Sequence, residues 1–407
     1  MNLNSKLRMS AIAAVLAIAV PAASFAQTSA AKSAPAKTSS GAMIPKFKVD
    51  PNWPQIPNGW TLGQVASAAS DPQTGHIWII QRPRTVRPWE KAAPPVMEFD
   101  QSGKYVQGWG GPATADGYKW MQSEHGIYID FKGNVWLGGS GNDDQIMKFT
   151  KDGKFLMQIG HPRKEKSNKD TDQFWKPADV FVYSKTNELF VADGYGNTRV
   201  IVFDADTGAY KRMWGAFGNT PEDTPAPATG EGGGPPARQR PDPNRVPAKD
   251  LPDTDKGPAQ LNTVHGIKVS NDGFVYVADR HGKRVQVFTI DGKYVNQVFV
   301  DRFCESPAGT NLMCGNGETV ASVAFSADPQ QRFLYAASRS PSRVVVYDRK
   351  TLTYLTEFGQ MGVRPGEFYG LHHMTTDEKG NLYTSEVEDG RRVQKFVFQG
   401  LEPAPAK

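Results

Sequence analysis

The sequence predicts an all-β fold, a six-bladed β-propeller whose ring is closed by a strand from the N-terminal region. Three observations support this prediction: self-similarity at intervals of roughly 40 residues, a pattern of four strands within each interval, and a last interval that lacks its fourth strand. Four-stranded units repeated at a fixed spacing are typical of blades arranged around a central channel.

Each repeat has an apolar stretch, an Asn/Asp/Gly turn, a second strand such as LFVAD or VYVAD, and a third such as RVIVFD or RVQVFT. A further turn and a fourth strand follow. Alternating β-branched and aromatic runs between turn residues indicate antiparallel strands, and no stretch convincingly predicts a helix. A pair of β-sandwiches is the alternative, but it would not explain the period. The repeats begin near Leu62, Glu124, Ala178, Val264, Val320 and Leu371.

The sixth repeat ends near Phe398 after only three strands. The segment from Pro45 to Asp50, PKFKVD, is a spare strand that can supply the missing one. Such a closure joins the two ends of the ring and removes an exposed sheet edge. We therefore expect the N-terminal segment to complete the last blade.

One boundary between repeats is much longer than the others. Residues 217–262 are rich in Pro, Gly and charged residues, with too few apolar side chains to form a core. We expect an exposed excursion, and its composition favours a surface loop over a lid above a site.

The N-terminus has the pattern of a secretory signal peptide. Lys6 and Arg8 precede the apolar run from Met9 to Val20, and Ser24-Phe25-Ala26 is a small-x-small cleavage signature. The apolar run is too short to span a bilayer, so we expect a periplasmic or secreted protein with no transmembrane segment in the mature chain. The predicted organisation is a signal peptide at 1–26, a flexible linker at 27–42 and a propeller at 43–400.

The charge balance does not favour a polyanionic partner. Removing the signal peptide takes away two positive charges and no acidic residue, so the formal net charge of +5 falls to +3. A balance this mild predicts no nucleic-acid or anionic-membrane partner. The two cysteines, Cys304 and Cys314, are close enough in sequence for a local disulfide, with two reduced thiols as the alternative.

Three histidines occupy the same position of the repeat. His125, His265 and His372 lie in the segments EHGIYIDFKGNVW, VHGIKVSNDGFVY and LHHMTTDEKGNLY, each eight residues before a turn glycine. They belong to repeats two, four and six, and each begins the strand expected to line the central channel. Three imidazoles converging on the axis with open positions would suit a catalytic rather than a closed structural metal ion. The alternative is that His-Gly merely starts a strand.

A second shared position lies at the exit of the second strand. Arg82, Arg280 and Arg339 share it, so we expect guanidinium groups at the mouth of the channel, near the histidines. There they could hold an anionic or carbonyl oxygen of a substrate, although a plain salt bridge is an equal expectation for Arg339. In the third repeat the glycine-flanked Tyr195 takes this place. A phenol beside a cation and a metal ion can serve as a base, and the alternative is an ordinary turn tyrosine.

These residues resemble a known family. VADGYGNTRVIVFD, VHGIKVSNDGFVYVADRHGKRVQVF and the three histidine segments are similar to the NHL-repeat propeller of peptidyl-α-hydroxyglycine α-amidating lyase, over about residues 62–398. That enzyme cleaves the N–Cα bond of a C-terminal α-hydroxyglycine and releases a peptide amide and glyoxylate. NHL repeats alone are weakly specific, whereas their combination with the histidines, DGYGNTR and ADR is more specific.

The resemblance implies roles for individual residues. His125, His265 and His372 match the zinc ligands of the family, Tyr195 matches its catalytic tyrosine, and Arg82 and Arg280 match its active-site arginines. The family also holds a structural calcium through an aspartate, but this chain has His373 there, which weakens the expectation of calcium. The family methionine two residues before the third ligand is Gly370, and Gly196 replaces a disulfide-forming cysteine.

The sequence therefore supports three functions. The first is an exported zinc-dependent lyase acting on a small-molecule or peptide carbinolamide. The second is a non-catalytic NHL-repeat propeller that binds a protein or glycan on its face. The third is a propeller metal hydrolase, which would need carboxylate ligands, and Glu386 is the one carboxylate among the strand-exit residues. A stoichiometric metal ion distinguishes the first function from the second.

Overall fold

A computed structural model describes residues 42–112, 117–223, 255–304 and 319–404 of the chain. Within these residues the structure is an all-β propeller of six four-stranded sheets, each antiparallel, which confirms the predicted fold class. The only helical segments described are two 3₁₀ turns, at Pro83–Thr85 and Ala216–Gly218. No described helix has the length and hydrophobicity needed to cross a membrane.

The strands follow one another blade by blade, after β1 (Met43–Asp50) and the short β2 (Trp60–Thr61). Blade 1 contains β3 (Gln64–Ser70), β4 (Ile77–Arg82) and, beyond the short strand β5 (Lys91–Ala92), β6 (Val96–Phe99) and β7 (Tyr105–Trp109). Blade 2 contains β8 (Glu124–Ile129), β9 (Val135–Gly139), β10 (Ile146–Phe149) and β11 (Phe155–Ile159). Blade 3 contains β12 (Asp179–Tyr183), β13 (Glu188–Asp193), β14 (Arg199–Asp204) and β15 (Tyr210–Trp214).

The second half of the ring repeats this plan. Blade 4 contains β16 (Val264–Val269), β17 (Phe274–Asp279), β18 (Arg284–Thr289) and β19 (Tyr294–Phe299). Blade 5 contains β20 (Val320–Phe325), β21 (Phe333–Ser338), β22 (Arg343–Asp348) and β23 (Tyr354–Phe358). Blade 6 contains β24 (Leu371–Thr376), β25 (Leu382–Glu386) and the long β26 (Arg392–Pro403).

The fourth strand of blade 6 is β1, as the spare N-terminal segment predicted. β1 pairs antiparallel with β26 from Met43 opposite Pro403 to Asp50 opposite Lys395, with one register shift between Pro45 and Phe47. The observed strands extend past the predicted end of the propeller, because β26 continues to Pro403. The N-terminal and C-terminal parts of the chain are thus held in a single sheet.

The hydrophobic core consists of six clusters, and each lies between two neighbouring blades. The first strands of the blades, β3, β8, β12, β16, β20 and β24, contact one another in an unbroken cycle around the channel. Because a blade buries its two faces only against its neighbours, the core is completed when the ring closes. This arrangement fixes the inner strands, which carry the histidines.

Several predicted features fall wholly or partly outside the described residues. Residues 1–41 are outside, with the predicted signal peptide and most of the linker, as are residues 224–254 of the long insertion. Cys304 is disulfide-bonded, and Cys314, the other cysteine of the sequence, lies outside the described ranges.

Candidate metal centre

The predicted site residues all lie toward one mouth of the channel because of the strand directions. His125, His265 and His372 are each the second residue of an inner strand, β8, β16 and β24. The second strand of a blade runs antiparallel to the first, so it ends where the first begins. Residues at the starts of first strands and the ends of second strands therefore share one level of the ring.

The three histidine rings meet at the channel axis. The centroids of the imidazoles of His125 and His265 are 5.0 Å apart, those of His125 and His372 are 4.7 Å apart, and those of His265 and His372 are 4.6 Å apart. All three side chains are fully buried. The repeat position identified in the sequence thus corresponds to one three-dimensional cluster contributed by blades 2, 4 and 6.

Each ring is oriented by the backbone of the following blade. Nδ1 lies at hydrogen-bonding distance from a carbonyl oxygen of an alanine: 2.8 Å from Ala178 for His125, 2.6 Å from Ala321 for His265 and 2.6 Å from Ala66 for His372. When Nδ1–H donates to a carbonyl, the lone pair is left on Nε2. This second contact is typical of metal-binding histidines, because it fixes the tautomer and the direction of the ring.

A glycine after the histidine makes two of these contacts possible. A Cβ atom at Gly126 would lie 2.8 Å from the carbonyl oxygen of Ala178, and one at Gly266 would lie 3.1 Å from that of Ala321. Both distances are shorter than ordinary contacts, so a larger residue would push the blades apart. The His-Gly pair in the sequence therefore reflects close packing of strands as well as the position of a candidate metal ligand.

Burial favours the neutral form of two imidazoles in this cluster, His372 and His373. Burial holds the pKa of His372 well below its usual value, since desolvation disfavours the charged ring, and the neighbouring His265 and His373 add to the effect. Burial also lowers the pKa of His373. A neutral imidazole is the form that binds metal ions. Nε2 of His372 is buried and has no hydrogen-bond partner among the described residues, as expected of a donor atom reserved for a ligand.

The hydroxyl of Tyr195 lies at the same point as the histidine donors. It is 2.9 Å from Nε2 of His125, 2.8 Å from Nε2 of His265, and accepts a hydrogen bond of 3.1 Å from Nη1 of Arg280. The side chain is 4% exposed, so this arrangement is shielded from bulk water. The phenol oxygen is thus close enough to contact a ligand bound at the Nε2 atoms of these histidines.

The glycines on both sides of Tyr195 are required by packing. A Cβ atom at Gly194 would lie 2.1 Å from the backbone nitrogen of Val264, and one at Gly196 would lie 2.1 Å from the indole ring of Trp175. The loop is also tied by a hydrogen bond from the N–H of Gly196 to the carbonyl of Trp175. The Gly-Tyr-Gly sequence therefore lets the backbone pass between two neighbours and carries the phenol to the axis.

The three arginines have different environments. Nη1 of Arg280 contacts Tyr195, as described above. Arg82 donates from Nε to the backbone carbonyl of Glu124, the residue before His125, at 2.9 Å. Arg339 forms an ion pair with Glu388, which is the salt bridge considered for it in the sequence. The structure thus brings Arg280 directly to the phenol and places Arg82 beside the strand of the first histidine.

Glu386 is occupied in a structural role. Its carboxylate accepts hydrogen bonds from Nε of Arg392 at 2.7 Å, from the side chain of Gln394 at 2.7 Å, and from the backbone N–H of Tyr369 at 2.8 Å. These contacts join strands β25 and β26 and an adjacent loop. A carboxylate with these partners is not offered to a metal ion on the axis, which weighs against the hydrolase.

His373 lies on the axis too, although the repeat pattern did not select it as a ligand. His125, His372 and His373 form the group whose potential donor atoms all lie within 4.8 Å of one another, and His265 is outside that group. Both ring nitrogens of His373, however, already face backbone oxygens: Nδ1 is 3.0 Å from Ala66 and Nε2 is 3.3 Å from His265. We therefore favour His265, whose Nε2 faces the centre, as the third donor.

Comparisons with known proteins agree with the architecture. The NHL repeat family matches residues 261–288. NHL repeat-containing protein 3 of Homo sapiens is 24% identical over 86% of this chain and 84% of its own length. Peptidyl-glycine alpha-amidating monooxygenase B of Xenopus laevis is 24% identical over 61% of this chain, which spans 25% of that protein. Peptidyl-alpha-hydroxyglycine alpha-amidating lyase 2 of Drosophila melanogaster is 28% identical over 40% of this chain and 41% of its length. The chain is thus a β-propeller in which residues 261–288 match the NHL repeat, and it has distant similarity to NHL repeat-containing protein 3 and to amidating enzymes.

Proposed function

We propose that this chain is an exported, zinc-dependent lyase that cleaves the N–C bond of α-hydroxyglycine-type carbinolamides and yields an amide and glyoxylate. One observation carries the proposal: the phenol oxygen of Tyr195 lies within 3 Å of two histidine Nε2 atoms and 3.1 Å from an arginine N–H. A hydroxyl so placed can exchange a proton with a substrate atom bound at the histidines. The distant similarity to amidating enzymes supports the reaction class.

The residues fit a zinc ion. His125, His265 and His372 would hold it through Nε2, since each Nδ1 faces a backbone carbonyl. Three imidazoles leave a further position for substrate, as in catalytic zinc sites. Zinc bound there would acidify the substrate hydroxyl. No carboxylate joins the proposed set, and calcium is not part of the proposal.

The chain's own residues would then move the proton. Tyr195, as a phenolate held by the N–H of Arg280, takes the proton of the substrate hydroxyl. The electron pair left on that oxygen forms the C=O bond of glyoxylate, and the C–N bond breaks with its electrons going to the amide nitrogen. Tyr195 can return the proton to that nitrogen, which leaves the enzyme unchanged. Charge on the reacting oxygen is stabilised by buried donors rather than by water.

The arginines would position the substrate. Arg280 is 2% exposed and Arg82 is 8% exposed, so both side chains have little contact with bulk water. The carboxylate of a C-terminal α-hydroxyglycine is a suitable partner, because a guanidinium can bind it in a bidentate manner. We assign this contact to Arg280 and Arg82 together, because the guanidinium of Arg339 already forms an ion pair with Glu388.

The test follows glyoxylate release from an α-hydroxyglycine peptide by protein loaded with one zinc per chain. We expect turnover by the wild type and a loss of about 10²-fold or more in Tyr195→Phe, the scale for losing a general base. The metal should stay bound in the variant, because the phenylalanine keeps all three histidines. Equal turnover by the two proteins would contradict the role of Tyr195 and leave the zinc site standing.

A non-catalytic propeller is the second candidate. It is favoured by NHL repeat-containing protein 3, which covers more of this chain than the amidating enzymes do and whose name records a repeat and no reaction. Wild-type protein with bound metal that releases no glyoxylate above background would reject the lyase. A propeller whose histidines bind no metal would favour a binding role on its face.

A further inference from the structure

A fully buried carboxylate lies beside the histidine cluster. Asp179 is the first residue of β12, on blade 3, and its side chain is 0% exposed. The residue before it, Ala178, provides the carbonyl oxygen that orients His125 of blade 2. This pair of residues therefore already touches one of the three histidine-bearing blades, although blade 3 contributes no histidine itself.

The same carboxylate holds the inner strand of blade 4. Oδ2 of Asp179 accepts a hydrogen bond of 3.1 Å from the backbone N–H of Ile267 and one of 3.2 Å from Nζ of Lys268. Both donors lie on β16, two and three residues after His265. β16 also carries His265 to the axis. The contacts of Asp179 with this strand therefore fix how far the imidazole of His265 reaches into the channel.

Blade 6 is reached through His373. Nε2 of His373 is 4.0 Å from Oδ2 of Asp179, and its ring stacks on that of His265 with centroids 4.9 Å apart and an angle of 22°. Nδ1 of His373 lies 3.0 Å from Nδ1 of His372. The imidazole of His373 thus fills the space between the carboxylate and the donor histidines of blades 4 and 6.

We propose that Asp179 is a positioning residue of the metal centre, whose carboxylate sets the relative placement of the three histidine-bearing blades through Ala178, β16 and His373. The inference deepens the proposed function and rests on the three-histidine site. We call Asp179, Ala178, Lys268 and His373 together the brace. Lys268 lines a cavity of about 630 Å³ at the opposite mouth of the channel, and its Nζ lies 3.2 Å from Oδ2 of Asp179. The brace therefore lies between that cavity and the metal centre.

The substitution Asp179→Asn removes the negative charge of the side chain while keeping its size and shape. Asparagine keeps an oxygen for the N–H of Ile267 but removes the negative charge that faces Lys268 and His373. Asp130→Asn is the matched control, because Asp130 is 1% exposed on blade 2 and the hydrogen bonds that its carboxylate accepts come from its own hairpin, from Lys132, Asn134 and Trp136.

Both variants are compared with the wild type for melting temperature, zinc dissociation constant by chelator competition, and the visible absorption of the cobalt-substituted protein. We expect Asp179→Asn to weaken zinc binding by about 10- to 100-fold and to change the cobalt spectrum, as removal of an outer partner of metal ligands does. Asp130→Asn should lower the melting temperature and leave both metal readouts unchanged. A wild-type dissociation constant and cobalt spectrum in Asp179→Asn would overturn the inference.

A metal-free measurement keeps the inference testable if the proposed function fails. In protein labelled with ¹⁵N at histidine, the ring signals of His265 and His373 should shift in Asp179→Asn and remain in place in Asp130→Asn. Wild-type protein that binds no metal would reject the lyase, while shifted ring signals would still support the brace. Unmoved ring signals in Asp179→Asn would overturn the brace itself.

Discussion

Removing the closing strand should cost the ring most of its stability. Seven residue pairs join β1 to β26, and a ladder of this length is worth about 4–10 kcal/mol at the usual net value of a backbone hydrogen bond. Burial of Ile44, which is 5% exposed, adds about 1.5–3 kcal/mol. The sum is comparable to the total stability of a typical domain, about 5–15 kcal/mol. Deletion of residues 43–50 should therefore abolish a cooperative native transition or lower its midpoint steeply.

A point substitution makes the same test without exposing an edge. The ring of Phe47 packs against Tyr335, Phe358 and Phe398, with centroid distances of 5.8, 5.3 and 5.9 Å. Because the side chain is only half-buried, Phe47→Ala should cost about 2–3 kcal/mol, at or below the low end for a phenylalanine in a core. At about 2–4 °C per kcal/mol, the melting temperature should fall by about 4–12 °C.

Lys46→Ala is the control on the same strand. Nζ of Lys46 lies 2.7 Å from Glu402 at the surface, and an exposed pair of this kind contributes at most about 1 kcal/mol. Thermal unfolding is followed by circular dichroism on the full chain and on each variant. Full stability after deletion of residues 43–50, or equal melting of Phe47→Ala and Lys46→Ala, would refute the closure argument.

Two further predictions concern metal binding and acid stability. Single alanine substitutions of His125, His265 and His372 should weaken or abolish metal binding while the circular dichroism of the propeller persists; elemental analysis checks this, and full occupancy in the triple variant would contradict the donor set. The guanidinium of Arg212 lowers the pKa of Glu188 from its usual 4.5 to about 2, so the stability contributed by Glu188 is complete above pH 4.5 and lost as pH falls through 2. Melting curves of Glu188→Gln and wild type should differ at pH 7 and converge toward pH 2; a gap independent of pH would oppose this.

The sequence predicted the parts of the site that depend on the repeat. His125, His265 and His372 share a register, and in a ring of equal units a shared register becomes convergence on the axis. The closing strand was also predictable, because the sixth repeat lacks a fourth strand and the N-terminal segment is a strand without a repeat of its own. Both inferences need only the period and the number of units.

Contacts between blades were not predictable from the same pattern. Ala178 and Asp179 look like an ordinary strand start, and their importance comes from residues on blades 2, 4 and 6 that lie far away in sequence. The adjacent pair His372 and His373 gave a signal, but only the structure separates a ring whose Nε2 is open from one whose two nitrogens face carbonyls. The partner of Arg339 likewise depends on a loop of the next blade.

Closure by β1 also has a consequence for biosynthesis. β1 precedes the other described strands of the ring and its partner β26 follows them, so β1 is synthesised well before the strand with which it pairs. During that interval it presents an unpaired strand edge, the kind of segment that recruits other chains into aggregates. Lys46 and Lys48 interrupt the apolar residues of the waiting segment, and charges at such places discourage wrong pairing. The lysines of β1 can therefore protect the nascent protein, a role separate from any stability that they add to the finished ring.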